Sequence, residues 1–297
     1  MNKILLLLLS AFIVVALFSC DSTKQLAQTG QSAQTAYANG EYAKALSLWE
    51  NVINSYNQKG ESKKCPVYTD AGMAAYKLGQ TDKAINYLKQ ADYSDFSNEN
   101  TYLTLADIYR QKDNLSLELV NLENYLTRFP EGSQTAKAKK RLLALYAESE
   151  NWEKAATLWK TLTPQQQEET KNMESFLIVN DALNNYETCL KLSHRLLTAN
   201  PTNKVALNWL ANYYFWKAEK HYQKEMKAYE AHKTRKQYAH LLKELDKVSA
   251  GYKKSLNYGK KLYKVSPTAQ TAKLLSRCYN RLDDKKKAAY YKKLAKQ

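Results

Sequence analysis

The sequence is short of the residues that bend chains. Eight glycines and five prolines in 297 residues are about a third of the usual share. Architectures built on many tight turns need both, so most β-rich folds are excluded, and glycine-rich phosphate loops with them. Histidine is also scarce, at four residues, none spaced to pair with another on a helix face. There is no Walker-type loop, GxSxG, HExxH or paired-cysteine metal spacing. No catalytic residue, metal ligand or cofactor is therefore assigned, and the chain is expected not to be an enzyme. Acidic residues run out late in the chain. Residues 1–200 hold 21 Lys/Arg and 22 Asp/Glu, whereas residues 201–297 hold 24 and 7. The net charge of +16 thus comes from the last third. Segregation of this kind bears on partners rather than on fold.

What is present starts with an apolar run. After Asn2 and Lys3, the residues from Ile4 to Phe18 are apolar except Ser10. The run is shorter than the roughly 20 residues of a membrane span and suits a signal-peptide core. It ends in Leu17-Phe18-Ser19-Cys20, which resembles a bacterial lipobox. That resemblance implies cleavage before Cys20, a thioether-linked diacylglyceryl group on its sulfur, and palmitate-type acylation of the new terminus. Several acyl chains anchor far more firmly than one. An ordinary secretory signal or an uncleaved anchor is the other reading. The expected organisation is a signal peptide over 1–19, a lipidated Cys20 with a polar tether over 20–31, and a body over 32–297. The expected location is the bacterial cell envelope, lipid-anchored outside the cytoplasm, so nucleic acid is not an expected partner.

In the body, apolar residues recur at three and four, the helical spacing, with no sustained alternation. The same pattern returns about every 34–39 residues. Ala33, Gly40, Tyr42, Ala45 and Trp49 are echoed by Gly72, Gly79, Ala84 and Leu88, then by Ala106, Tyr109, Asp113, Leu122 and Pro130. Tyr146, Trp152, Ala155 and Trp159 follow, then Leu177, Tyr186, Cys189, Leu196 and Pro201, then Leu207, Leu210, Ala211 and Tyr214. A last unit carries Leu274, Leu275, Asp283, Tyr291 and Leu294. These units resemble the tetratricopeptide repeat (TPR), a helix–turn–helix of 34 residues. In that pattern positions 8 and 20 are small, aromatics stand near 11 and 17, and proline stands near 32. The implied fold is all-α, a right-handed α-solenoid of about seven helical hairpins, in which neighbours bury what one hairpin cannot. Aligned in this way, Glu118 and Lys287 stand where alanine is expected, Cys189 at position 20 and Cys278 at position 11. Cys189 and Cys278 read as core residues, and Cys65 is the one candidate for a disulfide. Thr163-Pro164, Asn200-Pro201 and Ser266-Pro267 mark helix boundaries.

The sixth unit is too long. Tyr214 and Tyr252 occupy positions that should be six apart and are 38 apart, and no Gly or Pro falls between Thr202 and Ala250. A single long helix would not return to Pro267 in register. A protruding hairpin over about 215–251 would, with arms at 204–231 and 238–264 and a tip at His232–Gln237. Leu241, Leu245, Val248, Tyr252, Ser255, Gly259 and Leu262 form a seam with the 3,4 spacing of a coiled coil. Phe215, Ala218, Tyr222, Met226 and Tyr229 would face it. Lys217, Lys220, Lys224, Lys227, Lys233, Arg235 and Lys236 make this extended hairpin basic. They read either as a solvated face, lysine being a good helix former, or as a docking arm for an anionic partner.

The resemblance also implies a concave surface lined by the first helix of each repeat. Here it would comprise Met73, Tyr76, Asp107, Arg110, Lys137, Lys140, Ile178, Asp181, Asn208, Asn212, Phe215, Trp216 and Tyr279. The expected function is a membrane-anchored, non-enzymatic scaffold that binds protein partners. The alternatives are a binder of anionic envelope material (lipid headgroups or an acidic glycan) and an accessory subunit of an outer-membrane assembly or secretion complex.

Overall fold

The computed structural model describes residues 24–94 and 96–296. The apolar leader and Cys20 lie outside them. The described residues are helical throughout, with no strand among them. Helix α1 covers 24–38. It is followed by α2 (Tyr42–Gln58), α3 (Tyr68–Lys77), α4 (Thr81–Tyr93), α5 (Glu99–Gln111), α6 (Leu115–Arg128), α7 (Thr135–Glu148) and α8 (Trp152–Trp159). The short α9 (Pro164–Glu168) precedes α10 (Thr170–Ala182) and α11 (Tyr186–Ala199). Then come the long α12 (Lys204–Ala231) and α13 (Arg235–Val265), and last α14 (Ala269–Arg281) and α15 (Lys285–Leu294). With α9 set aside, chain order gives seven helix–turn–helix pairs. The chain divides into two compact units, Met1–Leu145 and Tyr146–Gln297, with the boundary inside the last turn of α7. In each, consecutive hairpins pack side by side as in an α-solenoid. Residues 24–31, read above as tether, are already helix, and Leu26 packs against the core of the first unit.

One backbone feature recurs at the same place in six of the pairs. Gly40, Gly79, Asp113, Glu150, Asn184 and Asp283 all have positive φ. Each follows the first helix of its pair and closes it with the same turn. The next amide reaches back five residues, as in Glu41→Ala36 (2.9 Å), Asn114→Tyr109 (2.9 Å) and Asp284→Tyr279 (2.9 Å). This is the Schellman closure of a helix end. It corrects the register of the last repeat by one residue. Asp283 takes the place of Gly40, so Ala288 is the small interior residue, and Lys287 lies outside, bonded to Asp284. Tyr279, not Cys278, then stands at position 11.

The second recurring feature is a close approach between positions 8 and 20. A Cβ on Gly72 would lie 2.7 Å from Cγ of Leu88 and 3.3 Å from the Ala84 carbonyl oxygen. Cys189 donates its thiol to the Leu177 carbonyl at 3.7 Å, and Ser276 its hydroxyl to that of Ala288 at 2.8 Å. In the sixth pair Ser255 reaches the Ala211 carbonyl at 2.7 Å across 44 residues of sequence. The long insertion therefore leaves the base of its own repeat intact. Glu118 is the exception. Too large for this contact, it is buried on a two-pronged hydrogen bond from Arg141 (2.7 and 2.8 Å).

Side-chain caps set several helix starts. Thr163 and Gln166 form a reciprocal capping box before Pro164, and Asn203, Thr234 and Thr268 cap α12, α13 and α14. The Thr163-Pro164 start does not run into the fifth repeat's helix, because Glu169 is extended and separates α9 from α10. Cys65, Cys189 and Cys278 are all buried free thiols. Burial raises each, Cys189 to about 12 and Cys278 to about 11, so they stay protonated and inert.

Gly72→Val should lower the stability of the first unit by about 1–3 kcal/mol through overpacking. A urea denaturation series on the two proteins checks this.

Candidate functional site

The residues expected to line the concave surface divide among three places. In the first unit, Tyr76, Asp107, Arg110 and Lys137 line one concavity of about 260 Å³, with Glu118, Gln134 and Arg141. Tyr76 donates its hydroxyl to Asp107, whose other oxygen pairs with Arg110. Gln111 adds a bond to the Tyr76 hydroxyl at 2.5 Å. The wall is a closed polar network in which Asp107 is already satisfied. Met73 is half-buried, and Lys140 is exposed. Neither lines the cavity.

In the second unit a larger concavity, about 630 Å³, lies where α10, α11 and α12 meet. Asp181, Asn212 and Trp216 of the concave set line it, together with Lys217 and Lys220 of the basic hairpin and with Tyr186, Trp209 and Tyr213. Trp209 is 8% exposed and donates its indole N–H to Asp181 at 2.9 Å. Its ring stacks on Tyr213 (centroids 4.8 Å apart, planes 15°), which meets Tyr186 at 5.9 Å. The Lys217 ammonium lies 5.4 Å from the Tyr213 centroid. Trp216 is 55% exposed and Tyr186 44%. The result is an open aromatic wall with a lysine rim. Asn208 holds Asn212 at 3.1 Å from outside the lining. Phe215 does not belong to the open surface. It is 4% exposed and packs on Tyr252 of α13. That face of α12 is covered by α13, the second helix of the same pair. Nothing in the sequence singles out Trp209 and Tyr213, since aromatics at spacing four look the same in a core.

The third place is the α12–α13 hairpin itself. Its loop is only His232–Thr234, shorter than the expected tip. Six of the seven seam residues are buried as expected, while Leu245 is half-buried and Glu244 beside it is buried. The surprise is in the acids. Glu219, Glu225 and Glu244 are all buried between the two helices. Glu219 accepts from Tyr252 (2.7 Å), from Arg281 of α14 (Nε 2.9 Å) and from Gln223 (3.1 Å). Burial alone would raise its carboxyl, but these bonds and the Arg281 charge together hold it below the usual value. Glu225 lies 3.2 Å from His240 and 3.8 Å from His221, and Glu244 lies 3.0 Å from His221. Lys247 bonds Glu244 at 2.7 Å and keeps its carboxyl low. No group of three or more ligands fit for a metal ion occurs among the described residues. Every lysine and arginine of the hairpin, in contrast, is exposed.

No family model matches the sequence, and no curated protein does. Solved structures do. One from Bacteroides ovatus, described as a candidate protein-binding protein, has a TM-score of 0.50 at 17% identity and covers 63% of this chain and 99% of its own. The C-terminal part of a TPR repeat-containing protein from Cytophaga hutchinsonii has a TM-score of 0.48 at 14% identity, covering 90% of this chain and 93% of that one. A tetratricopeptide repeat protein from Parabacteroides merdae gives 0.45 at 14%, covering 91% and 92%. Identities this low carry no function. The recurring helix–turn–helix pairs themselves give the chain its all-α, tetratricopeptide-like fold.

Arg281→Ala should destabilise the second unit by about 2 kcal/mol, since it strips charged hydrogen bonds from a buried carboxylate. Because the folded carboxyl of Glu219 sits low, its stabilisation is complete above the unfolded value of about 4.5 and is lost as pH falls through the folded value. Glu219→Gln should therefore flatten the acid limb of stability against pH. Urea midpoints for both variants, at neutral pH and through the acid range, measure the two effects.

Proposed function

We propose that this chain is a lipid-anchored, non-enzymatic scaffold of the bacterial cell envelope that holds a protein partner in the aromatic concavity of its second unit. The observation that carries the reading is the wall of Trp216, Tyr213 and Tyr186 on α11 and α12, open to solvent and rimmed by Lys217 and Lys220. Large aromatics contribute most to interface energy when a partner covers them, and preformed helices lose little ordering entropy in doing so. The anchor rests on the lipobox-like Leu17-Phe18-Ser19-Cys20 sequence. Placement at the envelope, whether as a free scaffold or within an outer-membrane assembly, rests on the same leader.

A second reading is favoured by the charge segregation of the hairpin. With its acids turned inward, the arm offers an almost wholly cationic exterior suited to anionic envelope material.

The test is an affinity capture from detergent-solubilised envelopes of the host at low and high salt. Residues 21–297 serve as bait, beside the same bait carrying Trp216→Ala and Tyr186→Ala. The proposal predicts a protein retained by the first bait at high salt and depleted at least tenfold on the second. Equal retention by both baits would remove the concavity as the binding site.

A further inference from the structure

We infer that the free end of the α12–α13 arm docks on an anionic lipid bilayer. Tyr238 and Leu242 would enter the headgroup boundary, and the surrounding cations would meet lipid phosphates. The inference rests on the cationic reading of the arm and adds to it a lipid surface as the partner and the arm's tip as the contact.

Three observations lead there. The first is the sorting of charge. Between residues 215 and 265, fourteen Lys/Arg are all exposed, while Glu219, Glu225 and Glu244 are buried, leaving Glu230 and Asp246 as the exposed acids. The second is pairing. Lys227, Lys233, Arg235, Lys236 and Lys243 cluster around the tip, and none of them makes an ion pair or side-chain hydrogen bond among the described residues. A merely solvated helix of this length would be expected to carry both signs on its surface.

The third observation selects a membrane over other anions. Tyr238 and Leu242 are four residues apart on the first turns of α13, so they share a face, and they are 49% and 48% exposed. Neither is needed to close the seam, although the ring of Tyr238 touches that of Tyr229 at 5.7 Å. Arg235 lies on the same face, with Lys236 and Lys243 at its edge. An aromatic and an aliphatic side chain set among long cationic stems is the composition that partitions into a headgroup interface, where the stems extend to the phosphates. A polyphosphate backbone or an acidic glycan would use the cations and gain little from Leu242. Asp246, one turn beyond Leu242, marks where that face ceases to suit a lipid surface, so contact is confined to the end of the arm. No described helix is long and apolar enough to cross a membrane, so the contact is peripheral.

The test uses residues 21–297, which contain every described helix. Co-sedimentation is measured with phosphatidylcholine vesicles, with and without phosphatidylglycerol, and retention on immobilised heparin is measured in parallel. Two variants are compared with the parent, one carrying Lys233→Glu, Arg235→Glu and Lys236→Glu, the other Tyr238→Ser and Leu242→Ser. Far-UV circular dichroism confirms that both remain helical. The parent should sediment with anionic vesicles and not with neutral ones. The charge reversal should weaken this at least tenfold, each cation near an anionic surface being worth about fivefold. The serine pair should weaken it severalfold while leaving heparin retention unchanged. Heparin retention without vesicle binding would overturn the membrane inference and leave the cationic arm reading intact. Binding to neither would overturn both. Vesicle binding indifferent to the serine pair would overturn the role of the tip.

Discussion

The fold depends on how closely two helices of a hairpin approach at one point. In four repeats the backbones at the eighth and twentieth positions come close enough for a side chain on one helix to bond a carbonyl of the other, or for a Cβ to have no room. Gly72 over Leu88 and Ala84, Cys189 to Leu177, Ser255 to Ala211 and Ser276 to Ala288 are the same contact in four repeats. In six of the seven pairs a left-handed residue after the first helix sets the angle at which the second returns. Size at two positions and handedness at a third thus determine a hairpin, and packing of hairpins within each unit buries the rest.

The sixth repeat shows how tolerant that constraint is. Its two contact residues are separated by 44 positions instead of twelve, yet the contact forms, because α12 and α13 simply run on together before turning. The extension needs its own interior. Gly251 allows that approach, since a Cβ there would meet the Ala218 methyl at 2.8 Å. Farther out the interior becomes partly ionic, with Glu219 held by Tyr252 and Arg281, and Glu225 and Glu244 facing His221 and His240. Drawing the carboxylates inward is what leaves the outside cationic. The arm's surface chemistry is thus a consequence of how its core is satisfied.

Much of this was legible in the residues. The helical period, the repeat spacing, the small residues Ala45, Ala84 and Ala155, and the surplus length of the sixth repeat all carry a direct steric meaning. The last repeat misled by one residue because Lys287 and Ala288 are adjacent, and only the left-handed turn at Asp283 fixes which points inward. Glu150 gave no turn signal, since nothing in a glutamate announces positive φ. The buried glutamates were invisible for a different reason. Their partners come from other helices, Arg281 being 62 residues from Glu219, and sequence spacing along one helix says nothing about them. The aromatic wall was half seen. Trp216 stands on an expected inward position, but the Trp209–Tyr213 stack that supports it looks like core.

The surplus segment doubles back on itself, so that a repeat scaffold carries an arm with three buried acids inside and bases outside. Spin labels at Lys217→Cys and Lys253→Cys test it most directly, because both sites are exposed and Cys65, Cys189 and Cys278 are buried. Pulsed dipolar spectroscopy should give a narrow distribution within about 20 Å, as expected for antiparallel helices packed about 8–10 Å apart. A distance near 54 Å, that of about 36 residues in one continuous helix, would mean that the segment does not double back.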